Sequence, residues 1–283
     1  MAIKNGLKFK LFSLVAKITR VIHPFGTERF LRLIYHPDKR ASDYFQTIIR
    51  YDKDLKININ SSSFIEWRIF FYGFYEIEVV KIIKKLIKSD FICFDVGANI
   101  GAYSLVMAKN CGKVFAFEPR PVVLKKFLDN LALNKLNNVI AVQMAISDFS
   151  GQSKLYFNKN DSNQGTASLN ESAGEKLENI QVEVATIDKF VEKEGIKRLD
   201  LIKSDTEGND YRVLLGAKKS IFRFRPYLLF EYEAASWNKA GFNLKNLKEL
   251  LSPLNYDYFE IGRNGVKQLD QSVLYANILA VPK

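Results

Sequence analysis

The stretch "FDVGANIGAYSLVMAKNCGKVFAFEP", residues 94–119, decides the fold. Phe91, Ile92, Cys93, Phe94 and Val96 make an apolar run interrupted only by Asp95. Such a run reads as a strand buried on both faces of a parallel sheet. Gly97 and Gly101 sit where the strand turns into a helix. Residues 103–110 continue that helix, and Cys111-Gly112 end it. Residues 113–117, KVFAF, form a second buried strand that stops at Glu118. This is a βαβ unit, and ligands in such sheets bind outside the carboxyl ends of the strands. A glycine-rich turn therefore lies between two carboxylates, Asp95 and Glu118.

The spacing argues against a dinucleotide. That fingerprint is G-x-G-x-x-G, whose middle glycine lets the backbone approach a pyrophosphate. Here Asn99 stands in its place, and Asp95 would repel the phosphates. A ligand with cationic groups suits the turn instead. S-adenosylmethionine (SAM) carries an ammonium, a sulfonium and a ribose with two free hydroxyls. Asp95 can reach the ammonium side, directly or through water. Glu118, ending the neighbouring strand, can accept both ribose hydroxyl protons.

"DVGANIG" followed by "FEP" resembles the FkbM-type branch of class I SAM-dependent methyltransferases. Later pieces agree in order: "AISD" (145–148), "VEVATIDKF" (182–190), "IKSDTEGND" (202–210) and "GA" (216–217). The resemblance runs over roughly residues 75–282. Ser204 and Thr206 are mild departures, since the family more often has apolar residues there. The resemblance implies a doubly wound, mostly parallel seven-stranded α/β sheet over residues 76–283, preceded by a basic, aromatic-rich extension over 1–75. It implies SAM as cofactor, with Gly97, Asn99 and Gly101 in the cofactor loop beside Asp95 and Glu118. Tyr75 and Glu76 match a tyrosine–glutamate pair beside the cofactor's methionine end. Ser147 and Asp148 match the corner near the adenine.

The remaining pattern fits such a sheet. Helices are expected over 76–88, 121–134, from 210 onward and over 243–251; strands over 139–146, 154–157, 182–187, 199–203 and 227–230. Residues 256–261 and 273–281 read as the terminal antiparallel pair. The aromatic stretch 61–75 (SSSFIEWRIFFYGFY) reads as a strand pair or a lid, with ordinary packing the role of most of its rings. Residues 158–179, rich in Asn, Ser, Gly and charge, read equally as a substrate lid or a surface loop.

The charge is uneven. The chain has 283 residues and a formal charge of +11. Residues 1–90 hold 17 basic and 9 acidic side chains, and the rest holds 25 and 22. The basic field thus belongs to the front of the chain. Cys93 and Cys111 read as small buried residues, and no disulfide framework is implied, which fits the cytoplasm. No apolar run reaches membrane-spanning length. Leu7, Leu11, Leu14, Val15, Ile18 and Ile22 recur at helical spacing, with Lys10, Lys17 and Arg20 on another side. The preferred reading is a helix packing this stripe on the domain. The alternative is a basic amphipathic helix in residues 1–22 on the inner face of an anionic membrane.

Methyl transfer to an alcohol needs positioning, which supplies about 7–11 kcal/mol, and a route for the hydroxyl proton. A placed base contributes roughly 10²–10⁴-fold. Asp205 and Glu207, following the fourth strand, are the candidates, with Lys203 just before them. Glu231 and Glu233 end the fifth strand. If a divalent metal took part, Asp205 and Glu231 would be its oxygen ligands, but no dense acid cluster or histidine demands Mg²⁺. His23 and His36 read as packed or solvated. "SDTEG" lacks the Asn/Asp-Pro-Pro-aromatic stretch of enzymes that methylate amines of bases or glutamine. The expectation is an O-methyltransferase acting on a hydroxyl of a sugar, glycan or lipid-linked saccharide. The alternatives are a polyketide-like hydroxyl, or a nucleic-acid-binding protein that uses the basic front. No nucleic-acid partner is expected on the leading reading.

Overall fold

The computed structural model describes residues 7–22, 27–35, 44–157, 167–169 and 177–283. Both histidines, and the loop expected over 158–179 apart from 167–169 and 177–179, lie outside these residues. The chain opens with helices α1 (Leu7–Ile22) and α2 (Thr27–Ile34) and a hairpin, β1 (Gln46–Tyr51) and β2 (Leu55–Asn60). Helices α3 (Phe64–Tyr72) and α4 (Ile77–Leu86) lead to β3 (Ile92–Val96), α5 (Ala102–Asn110), β4 (Lys113–Phe117), α6 (Pro121–Asn134) and β5 (Val139–Val142). An excursion follows: β6 (Ala145–Ile146), β7 (Gly151–Phe157), β8 (Ala167–Ser168) and β9 (Glu178–Ala185). Then come α7 (Ile187–Lys193), β10 (Leu201–Ser204), α8 (Asp210–Gly216), α9 (Lys218–Phe224) and β11 (Tyr227–Glu233). The chain ends with α10 (Ala234–Lys239), α11 (Leu244–Leu251), β12 (Tyr256–Gly262), β13 (Gly265–Gln268) and β14 (Tyr275–Pro282).

The main sheet has the order β13-β12-β14-β11-β10-β3-β4-β5. Strands β5, β4, β3, β10 and β11 run parallel, and β14 lies antiparallel between β11 and β12. These are the seven strands of the class I methyltransferase sheet. The short β13, folded back on β12, adds an eighth at the edge.

Side chains alternate across this sheet because the strand period is two. Cys93, Val114, Ala116, Leu201 and Leu229 face the side covered by α4, α5 and α6. Phe94, Phe115, Phe117, Ile202 and Phe230 face α7, α8 and α11. On that second face Phe94, Phe115 and Phe117 meet Phe190 edge-on, with ring centroids 4.8–5.8 Å apart. Such T-shaped contacts add to plain area burial. The first apolar cluster continues without a break to Phe12, Leu31, Phe45 and Trp67.

Three expectations change. Residues 61–75 do not form a strand pair: α3 is helical, closed by Gly73 in the left-handed region, whose N–H bonds Ile69 O. Its residues are apolar nearly all round, with α1 and β2 packed against it, so no amphipathic period marks it. The strand expected over 139–146 divides, with β5 in the main sheet and β6 pairing with β9 in a second, four-stranded sheet. Finally, α1 buries only part of the stripe read from its sequence. Phe12, Ala16 and Thr19 face inward and Val15 packs on the apolar cluster, while Leu11, Leu14 and Ile18 stay about half exposed; the side chains of Leu7 and Ile22 are not among those described.

Candidate active site

A cleft of about 840 Å³, counting its open mouth, lies at the carboxyl ends of β3, β4 and β10. This is where the doubly wound topology leaves a crevice. One side is the turn after β3. Gly97 and Gly101 have φ of +76° and +91°, and Asn99 also adopts a positive φ, +52°. A Cβ on Gly101 would sit 2.3 Å from the Phe127 ring, so only glycine lets α5 start against α6.

Glu118 ends β4 beside this turn. It is 7% exposed, accepts hydrogen bonds from Asn99 N (3.0 Å) and Arg120 N (2.9 Å), and lines the cleft. Burial pushes its carboxyl up to about 7, although the two backbone donors pull the other way. Each carboxylate oxygen still has a lone pair free beyond its backbone donor, and two hydroxyl donors would complete the shell. The wall beyond it is apolar: Met144, Ile146, Leu155, Leu169 and Ile65. A flat ring next to a ribose fits there, and the donor set and apolar wall together fit SAM.

The expected cofactor residues divide. Tyr75, Gly97, Asn99 and Glu118 line the cleft. Asp95 does not. It is fully buried, receives a hydrogen bond from Ser104 Oγ (2.5 Å), and turns its other oxygen to Lys203 Nζ, 3.5 Å away. Ser147 is likewise buried and donates to Asn209 Oδ1 (3.2 Å), while Asp148 pairs with Arg212 (2.9 Å). The lining at that corner comes from Met144, Ala145, Ile146 and Asn209 instead. Asn209, which the sequence reading did not single out, donates to Ile146 O (3.0 Å) and ties the turn after β10 to β6. Ile65, Leu155, Ala167 and Leu169 were missed as well. Their only signal is being apolar, and their place on the cleft depends on pairing distant in sequence.

The other side of the cleft gathers charge. Lys203, on β10, is 2% exposed. Its Nζ lies 3.4 Å from Asp205 Oδ2, 3.5 Å from Asp95 Oδ1 and 4.3 Å from the centre of the Tyr103 ring. Burial opposes its charge, but Asp205, Asp95 and Glu76 outweigh burial and hold its pKa above the usual lysine value. Lys203 is thus set as a cation between two carboxylates. Asp205 is partly exposed and faces the cleft. Around it, Glu231 is pushed up to about 8, by burial first and then by Asp205. Glu76 is raised for the same two reasons. Glu207 stands at the exposed mouth with a φ of +53°. Crowding and then Asp205 raise it too, although water reaches it and screens the charges.

Hydrogen bonds fix these carboxyls. Tyr103 OH donates to Glu76 (2.6 Å), as does Asn277 Nδ2 (3.3 Å), and Tyr275 OH donates to Glu231 (2.6 Å). Asp210 takes the structural role in the "SDTEG" turn, accepting from Ser204 Oγ (2.6 Å), Thr206 N (3.1 Å) and Thr206 Oγ1 (3.0 Å). Asp205 is left to the cleft. Among the described residues no three of His, Cys, Asp and Glu are arranged to hold a metal ion.

The sequence matches the family described as Methyltransferase FkbM domain over residues 95–258. Among curated proteins it is 28% identical over 193 residues to the methyltransferase sdnD of Sordaria araneosa, covering 58% of this chain and 72% of sdnD. It is 23% identical over 185 residues to the 2-O-methyltransferase NoeI of Sinorhizobium fredii, covering 60% and 75%. To the hexuronic acid methyltransferase AglP of Haloferax volcanii it is 24% identical over 177 residues, covering 62% and 68%. With the family match spanning more than half of its length, and the cleft lying where that fold binds its methyl donor, the chain belongs to the FkbM family of SAM-dependent methyltransferases.

Proposed function

We propose that the enzyme methylates a hydroxyl of a saccharide, with Asp205 as the base. The observation that carries this is the Asp205 carboxylate facing the cleft with Lys203 behind it, ringed by Glu76, Glu207 and Glu231. Bound SAM supplies a methyl group on a sulfonium and leaves as a neutral thioether. The rest falls to the chain. Asp205 Oδ receives the acceptor's hydroxyl proton as the new C–O bond forms. Lys203 cannot compete for that proton, because its own is held by two carboxylates. Glu231, pushed up to about 8 by burial and by Asp205, keeps its proton at neutral pH and can donate it to a sugar oxygen. Environments that push neighbouring carboxyls apart in this way divide acid from base.

Two similar enzymes support parts of this reading: one is named a 2-O-methyltransferase, which supports transfer to oxygen, and another a hexuronic acid methyltransferase, which supports a saccharide acceptor. The Asp205 carboxylate facing the cleft favours a neutral sugar over a uronate, since it would repel a carboxylate on the acceptor. A polyketide-like hydroxyl is the competing acceptor. The test is a panel of neutral oligosaccharides, uronic-acid oligosaccharides and small aromatic or aliphatic alcohols, incubated with SAM and read by mass spectrometry. Methylation confined to the neutral saccharides supports the reading. Turnover of the alcohols alone, or a preference for uronates, overturns it.

A further inference from the structure

We infer that α1 is a membrane-surface helix, holding the enzyme against a bilayer rich in anionic head groups. The helix has two apolar faces. One is docked on the domain. Phe12 packs edge-on against Tyr35, with centroids 5.1 Å apart, and Phe9 against Phe45 at the same distance. Thr19 Oγ1 donates to Phe71 O, and Arg20 turns inward, its Nε donating to Phe70 O (2.9 Å). That face alone accounts for the packing of α1 on α3.

The second face belongs to no apolar cluster of the described residues. Leu11, Leu14 and Ile18 are 53%, 57% and 50% exposed. At about 100° per residue these three fall within about 60° of one another, on the side away from Phe12, Ala16 and Thr19. Lys10 and Lys17, both exposed, border them along one edge. Three large aliphatic side chains aligned with flanking lysines is the pattern of a helix lying in a lipid interface.

Charge chooses the occupant. Residues 1–22 hold five basic side chains and no acidic one. A second copy brought face to face would oppose like charges along the whole contact, whereas a bilayer with anionic lipids complements them. No described helix is long and apolar enough to cross a membrane, so the contact is peripheral. An enzyme held there would meet acceptors carried on lipids.

The full chain should be co-sedimented with vesicles of phosphatidylcholine alone and with vesicles in which about a third is phosphatidylglycerol. Binding to the anionic vesicles only is expected. The triple variant Leu11→Gln/Leu14→Gln/Ile18→Gln should lower that partition by at least about tenfold. Lys10→Gln/Lys17→Gln should lower it roughly tenfold at low salt and little at high salt. The melting temperature and the turnover of a soluble acceptor should not change in the triple variant, which separates this inference from the catalytic proposal. Equal partition of the native and triple-variant proteins would overturn it, as would a large drop in melting temperature, which would mean that the stripe packs inside the protein. A concentration-dependent dimer abolished by the triple variant, without vesicle binding, would overturn it in favour of self-association.

Discussion

The carbonyl oxygen of Asp205 occupies the space where a side chain on residue 97 would begin: a Cβ on Gly97 would lie 1.9 Å from it. The cofactor turn and the acceptor turn thus touch through backbone, and Asp205 N completes the contact by donating to Val96 O (3.1 Å). Gly97→Ala should therefore do more than crowd a ligand. It must part the ends of β3 and β10 and hold a positive φ, at a cost of about 1–3 kcal/mol for each effect. We expect a lower melting temperature together with SAM binding weakened by at least about tenfold, read by calorimetry. Native stability with weak binding would mean that the two turns are not mechanically joined.

Glu118 links cofactor binding to pH. Its folded-state pKa, about 7, lies above the ordinary carboxylate value, so the native state holds its proton longer than the unfolded state does. Stability from this group is fully present at pH 4 and declines as pH rises to about 7. Glu118→Gln removes the decline, so its stability should vary less between pH 4 and 8 than that of the native protein. The same change replaces one of the two acceptor oxygens with an NH2 donor, so SAM should bind about 1.5–3 kcal/mol more weakly. In the native enzyme, affinity should rise between pH 6 and 8 as the carboxylate ionises. Thermal melts across pH, paired with calorimetric titrations, check both signs. A Glu118→Gln protein that loses stability from pH 4 to 8 as steeply as the native one would refute the account.

Among the described residues, Lys203 is the cation paired with Asp95, which is fully buried. Removing one partner of a buried pair leaves an uncompensated charge, at about 3–5 kcal/mol. Lys203→Met should thus lower chemical-denaturation stability by about that amount, and Asp95→Asn by less, since Ser104 remains hydrogen-bonded to it. Turnover of Lys203→Met should fall as well, because Asp205 would have lost the cation that pairs with it beside the cleft. Unchanged turnover per folded enzyme would separate Lys203 from the proton-transfer step.

Much of the cleft was legible because its chemistry is local. The turn between β3 and α5 needs glycine at fixed positions, and Glu118 must follow a buried strand, so both can be read within one βαβ unit. Asp95 was placed correctly on β3 but not in its orientation: whether a strand-end carboxylate meets ligand or lysine depends on β10, more than a hundred residues later. The apolar wall was not legible, since Leu155 and Leu169 reach the cleft through the second sheet, whose pairing leaves no mark in either segment. For α1 the periodicity was read correctly, but only part of its stripe is buried. Aromatic residues at positions 9 and 12 take the docked side, and simple spacing does not rank Phe12 above Leu11.

The last prediction concerns Asp205 itself. It stands at the carboxyl end of β10, and Glu231 and Glu76 are near enough for its charge to raise both. Asp205 meets the cofactor turn through its backbone, while its carboxylate pairs with Lys203, so Asp205→Asn should keep SAM affinity within a few-fold. Turnover should fall by roughly 10²–10⁴, the share of a positioned base. Because the substitution also removes a negative charge, Glu231 should titrate nearer its ordinary range in the variant. Any remaining activity should then show an alkaline limb shifted downward. Dialysis against a chelator addresses the metal alternative: if Asp205 acts as a base, native turnover should survive, whereas loss restored by added Mg²⁺ would assign Asp205 and Glu231 to a cation. Near-native turnover in Asp205→Asn, with the chelator also harmless, would remove Asp205 from the chemistry. The proton would then have to leave through Glu207, and Glu207→Gln would be the variant that decides it.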